Sequence, residues 1–102
     1  MQLGTLRPND VSKEGQTPLM IAIDYSFSQE TIQKLIDLGC DVNAKDVDGN
    51  TPMHTAAYTE NFEAFKCLLD NGADPLIKDN EGLSVKELCL DEGLAEYRQL
   101  LE

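Results

Sequence analysis

The chain has 102 residues, one domain's worth, with 19 acidic against 8 basic side chains and a formal charge of −11. Hydrophobic residues make up 41%, enough for a core, which excludes disorder by composition. The charge excludes a nucleic-acid binder and disfavours anionic membrane surfaces, since phosphates would be repelled; concentrated on one face, it points to a basic or neutral partner.

No apolar run approaches the roughly 18 residues of a spanning helix. Met1 to Pro8 lacks a cationic start followed by an apolar stretch, so no secretory leader is expected. Cys40, Cys67 and Cys89 are odd in number and have no CxxC spacing. Neither a disulfide framework nor a zinc site is expected, and reduced thiols in an intracellular compartment, cytoplasmic or nuclear, are.

Along the chain, Gly15-Gln16-Thr17-Pro18-Leu19-Met20-Ile21-Ala22 recurs as Gly49-Asn50-Thr51-Pro52-Met53-His54-Thr55-Ala56, an offset of 34. Leu35-Ile36-Asp37-Leu38-Gly39-Cys40-Asp41 recurs as Leu68-Leu69-Asp70-Asn71-Gly72-Ala73-Asp74, an offset of 33, which places a one-residue insertion within Asp24 to Ser28. A degraded third copy starts at Gly82-Leu83-Ser84-Val85. The chain divides into 1–11, a cap or the tail of a preceding unit that otherwise frays; 12–45, the first unit; 46–78, the second; and 79–102, a shortened third.

In the first unit, Thr17-Pro18 starts a helix burying Leu19, Ala22 and Ile23. Ser28 caps the next helix, whose apolar stripe is Ile32, Leu35 and Ile36, and Gly39 closes it. In the second, Thr51 caps and Pro52 opens a short helix with Met53, Ala56 and Ala57 on one face. Asn61 caps a helix lined by Phe62, Phe65, Leu68 and Leu69, and Gly72 ends it. Asp74-Pro75 is expected to run extended, and Asp79-Asn80-Glu81-Gly82 to turn tightly. In the third, Ser84 caps, Leu88 and Cys89 face inward, and Gly93 opens a last helix with Leu94, Tyr97, Leu100 and Leu101 on one side. No unit can bury its apolar face alone, so the units must stack into a solenoid.

The pattern Asp46-x-x-Gly49-x-Thr51-Pro52-Met53-His54-x-Ala56-Ala57, followed by Leu68-Leu69-x-x-Gly72-Ala73-Asp74, resembles the ankyrin repeat family over about residues 12–102. The first copy matches at Gly15, Thr17, Pro18, Leu19, Ala22, Gly39, Asp41, Val42 and Asn43. The resemblance implies an all-α repeat solenoid, an ankyrin-like stack of helix–turn–helix units joined by β-hairpin-type finger loops. It also implies that His54 is structural, bonding between neighbouring loops, and that Asn43 stands where some members are hydroxylated, the plainer role being a loop hydrogen bond. Met20 and Glu87 stand where the family has His, and Glu60 where it has Gly between helices.

No catalytic constellation is present: His54 is the only histidine, and no phosphate loop occurs. Asp46-Val47-Asp48-Gly49-Asn50 is not an EF-hand, because the twelfth position from Asp46 is Ala57 rather than Glu. Cys40 and Cys89 align with small residues and are expected in the core; Cys67 aligns with Lys34 and is expected to be partly exposed.

In ankyrin-like stacks, partners are held by finger tips and the exposed side of the first helices. Carried over, these positions are Lys13, Glu14 and Gln16; Val47, Asp48 and Asn50; Asn80, Glu81 and Leu83; and the helix ends Asp24, Tyr25, Tyr58, Thr59, Asp91 and Glu92. The set is mostly acidic with two tyrosines, a favoured hot-spot type. The expected function is a non-catalytic protein-interaction module, without cofactor, that presents this face as a monomer to a basic or mixed-charge segment of another protein. The alternative is a structural or regulatory segment of a larger protein whose binding or catalytic surface lies elsewhere.

Overall fold

A computed structural model describes residues 11–90 and 94–101 of the chain. Among these, the order is α1 (Pro18–Asp24), α2 (Gln29–Asp37), α3 (Pro52–Tyr58), α4 (Phe62–Asp70), α5 (Val85–Leu88) and α6 (Ala95–Leu101). The helices pair as α1/α2 and α3/α4. Unit packs on unit through α1 against α3, α2 against α4, α3 against α5 and α4 against α6. This makes an inner row, α1, α3 and α5, backed by an outer row.

Each start has the chemistry the sequence supplies. Thr17 Oγ1 accepts from Met20 N at 3.3 Å, Ser28 Oγ from Thr31 N at 3.3 Å and Asn61 Oδ1 from Ala64 N at 3.1 Å. Thr51 and Ser84 are capping boxes whose N3 partners are His54 and Glu87. The core is continuous: Leu19, Ile23, Ile32, Met53, Phe65, Leu68, Val85 and Cys89 are all buried. Burying each of the larger aliphatic or aromatic side chains contributes about 2 kcal/mol. Tyr97 anchors α6 edge-on to Phe62 and Phe65, with centroids 5.3 and 5.0 Å away.

The inserted residue is Phe27. Ser26 and Glu60 occupy equivalent left-handed positions, φ 57° and 55°, and Phe27 N and Asn61 N each reach back to an alanine carbonyl, of Ala22 and Ala56, at 2.9 Å. Asn61 is already the cap of α4, whereas α2 waits one more residue for Ser28. The extra Phe27 is left exposed.

Two expectations are corrected. Cys67 is buried, 2% exposed, because the amides of Gln33 and Asn71 close over it. Asn71 Nδ2 donates to Gln33 Oε1 at 2.8 Å, Gln33 Nε2 donates back at 3.2 Å, and the thiol lies 3.4 Å from Gln33 Oε1. Alignment with Lys34 could not reveal a cover made by two repeats. After Asp74-Pro75 the chain turns rather than running extended, since Asp74 Oδ1 accepts from Leu76 N at 2.9 Å. Gly93, expected to open the last helix, lies outside the described residues; Leu94 precedes α6.

Candidate protein-binding face

Three five-residue loops of the same design form the fingers. In each, the first residue's N–H donates to the carbonyl four residues on: Ser12 to Gln16 at 2.9 Å, Asp46 to Asn50 at 3.0 Å, Asp79 to Leu83 at 2.9 Å. A side-chain oxygen then braces the loop from inside. Asp46 Oδ1 accepts from Asp48 N and Asn50 N, and Asp79 Oδ1 from Glu81 N and Leu83 N, all at 2.9 Å; Ser12 Oγ accepts from Gln16 N at 3.2 Å. Asp46 therefore serves the backbone of its own loop. The only strand-like pairing among the described residues is one antiparallel bridge, Lys78 to Ser84.

The fingers are stitched side by side. Val47 N donates to Glu14 O at 3.0 Å, Asn80 N to Asp48 O at 3.0 Å, and Asn80 Nδ2 to Val47 O at 2.8 Å. Gly49 makes this approach possible. Its φ is +80°, and a Cβ there would lie 2.6 Å from Asn80 Oδ1 and 2.7 Å from Asn80 N.

His54, fully buried, joins helix to finger. Its Nδ1 accepts from Thr51 N at 3.1 Å, which leaves Nε2–H to donate to Leu83 O at 3.0 Å. Met20 can make neither bond. Glu87 closes its cap, accepting from Ser84 N at 3.4 Å, but a carboxylate has no proton to offer a neighbouring finger. Asn43 ties repeat to repeat lower down, its Oδ1 accepting from Asp74 N at 2.8 Å.

Against this frame, Glu14, Asp24, Tyr25, Val47, Asp48, Tyr58, Thr59, Asn80, Glu81 and Leu83 are exposed, as is Lys13, and Gln16 and Asn50 half-buried. Asp91 and Glu92 lie outside the described residues. Five of these positions meet in one place. Asp48, Asn50, Tyr58, Asn80 and Glu81, joined by Asp79, line a cleft of about 530 Å³ between the second and third fingers at the C-terminal end of α3. Glu14, Gln16, Asp24, Tyr25, Val47, Thr59 and Leu83 are not among its lining residues.

Asp79 is the residue that sequence reasoning missed, having placed it only in a turn. Its alignment with Asp46 signals the loop-bracing role, but its second oxygen, 3.5 Å from the Tyr58 hydroxyl, is a tertiary fact. Hydrogen bonds from Leu83 N–H and Glu81 N–H hold its carboxyl below the usual carboxylate range. Partial burial, then the negative charges of Asp79 and Glu81, push the Tyr58 hydroxyl up. The cleft therefore carries negative potential and an aromatic ring.

The family model for ankyrin repeats in three copies matches residues 3–79. XBAT34 of Arabidopsis thaliana, a candidate E3 ubiquitin-protein ligase, is 34% identical over 94 residues, covering 90% of this chain and 25% of the relative. Protein phosphatase 1 regulatory subunit 12A of Mus musculus is 35% identical over 91 residues, covering 89% and 9%. SH3 and multiple ankyrin repeat domains protein 2 of Homo sapiens is 40% identical over 80 residues, covering 78% and 4%. The chain thus spans a quarter or less of the length of these relatives. Ankyrin repeats are non-catalytic modules that bind other proteins. With the repeat spacing, the paired helices, the stitched fingers and the matched residues in agreement, the chain belongs to the ankyrin repeat family.

Proposed function

We propose that the chain is a protein-interaction module whose finger tips and first-helix ends capture a basic or mixed-charge segment of a partner protein. One observation carries the reading: Asp48, Asn50, Tyr58, Asn80 and Glu81, separated in sequence, line a single cleft with no Lys, Arg or His among its described lining residues. The mechanism is rigid presentation. Fingers already bonded to one another and to α3 lose little ordering entropy on binding. Tyr58 offers an exposed ring, the kind of side chain that dominates interface energetics.

The partner meets the chain in a reducing compartment on this reading, a placement supported by the buried thiols of Cys67 and Cys89. Among the described residues no helix is long and apolar enough to cross a membrane.

The test is affinity capture with mass spectrometry, comparing the chain with an Asp48→Asn/Tyr58→Ala double variant. Neither side chain is in the core, so helical content should hold while capture of the leading partner falls about tenfold or more. Unchanged capture with intact helicity would show that the face is wrongly chosen.

A second reading, that the chain is a spacer or regulatory segment in a larger protein, is favoured by the small share of its relatives that it spans. In that case nothing is captured specifically by the chain alone, and a longer version of the protein supplies the binding.

A further inference from the structure

We propose that the cleft between the second and third fingers is an arginine socket, seating the guanidinium of one arginine in the partner's basic segment. The inference rests on the interaction reading above and sharpens it to one side chain.

The first argument is charge complementarity. Asp48 stands on the second finger and Glu81 on the third, both exposed, and neither carboxylate accepts a hydrogen bond from a described residue. Asp79 Oδ1 is spent on the loop, but Oδ2 has only the long 3.5 Å contact from Tyr58. No cation is among the described residues that line the cleft. The second argument is shape. Carboxylates on separate fingers and an exposed phenol ring beside them suit a flat cation with several donors. A guanidinium presents five N–H groups in a fixed fork and stacks on aromatic faces, whereas an ammonium is a compact point charge. The third is an acceptor left over. Asn50 is one of the lining residues, and its Oδ1 is buried with no hydrogen-bond partner among the described residues, a condition that normally costs free energy. A guest donor would satisfy it once the amide turned its oxygen out to the cleft. The donors present are already committed elsewhere: Asn80 Nδ2 is held by Val47 O.

The test uses the ¹⁵N-labelled 102-residue chain and three blocked tripeptides, with arginine, lysine or citrulline between two alanines. The arginine peptide should shift the amides of Asp48, Tyr58, Asn80 and Glu81 and the Asn50 side-chain NH₂ saturably. It should bind about threefold more tightly than the lysine peptide, because only the planar guanidinium can stack on the Tyr58 ring while its fork reaches the carboxylates. The citrulline peptide, planar but neutral, should give no saturable shift. Tyr58→Leu should erase the arginine preference, and Tyr58→Phe, which keeps the ring, should retain it. Equal binding of arginine and lysine, binding of citrulline as strong as arginine, or shifts spread over distant acids such as Asp37 and Glu63 would overturn the socket. Partner capture lost in the Asp48→Asn/Tyr58→Ala variant without any arginine preference overturns the socket and leaves the interaction reading standing. An arginine preference confined to the cleft, with capture undiminished, upholds the socket and overturns that reading.

Discussion

Gly49 and Gly82 occupy the same place in successive fingers, with φ of +80° and +84°, yet their surroundings differ. A Cβ at Gly82 meets nothing within 4 Å, whereas at Gly49 it would stand 2.6 Å from Asn80 Oδ1 and 2.7 Å from Asn80 N. Alanine at either site takes on left-handed strain of about 1–2 kcal/mol, offset in part by a less disordered unfolded chain, about 0.4–1 kcal/mol. Gly82→Ala should therefore cost about 1 kcal/mol. For Gly49→Ala the obstruction includes backbone, so the third finger has to retreat. That stretches the bonds from Asn80 N to Asp48 O and from Asn80 Nδ2 to Val47 O, now 3.0 and 2.8 Å. At about 0.5–1.5 kcal/mol each they add about 1–3, for a total of about 2–4 kcal/mol. Urea unfolding followed by far-UV circular dichroism reads both variants; in a domain of this size the difference corresponds to roughly 4 °C or more in Tm. Equal losses in the two variants would refute the close stacking of fingers.

Other outcomes follow from the same contacts. His54→Met, which copies Met20 of the first repeat, should cost about 1–3 kcal/mol, because Thr51 N is left without an acceptor while Leu83 O keeps its bond from Asp79 N; urea midpoints within error of the parent would contradict this. Gln33→Ala should uncover the Cys67 thiol and raise its labelling rate by iodoacetamide, measured by mass spectrometry on the folded chain; an unchanged rate would mean the amide pair is not its cover. Burial pushes the thiols of Cys67 and Cys89 and the hydroxyl of Tyr97 up. A folded value above the unfolded one means stability fully present below the unfolded value and lost as pH rises through the folded one. Tm should thus hold near neutrality and fall above about pH 9; a Tm constant to about pH 10.5 would refute it.

Much of the fold was legible because ankyrin helices announce their starts locally. Thr17, Ser28, Thr51, Asn61 and Ser84 all cap as their side chains suggest. What the sequence hides is set across repeats. The offsets confined the insertion to a five-residue window, and only the backbone bonds of Phe27 and Asn61 assign it to Phe27. Cys67 is covered by Gln33, 34 residues away in the chain. In the candidate face, the finger positions were legible from the repeat, but their division was not. Asn80 turned out to devote its amide to Val47, 33 residues away, and Asp79 joined the cleft through a side-chain oxygen that no spacing rule assigns to Tyr58.

The central claim is that the fingers and the ends of the inner helices receive the partner. Hydrogen exchange of the chain, free and bound to its captured partner, tests it most directly. Protection should concentrate in residues 46–50 and 79–83 and at the end of α3 around Tyr58 and Thr59. Protection confined instead to the outer helices, around Glu30 and Lys34 of α2 or Glu63 and Lys66 of α4, would contradict it.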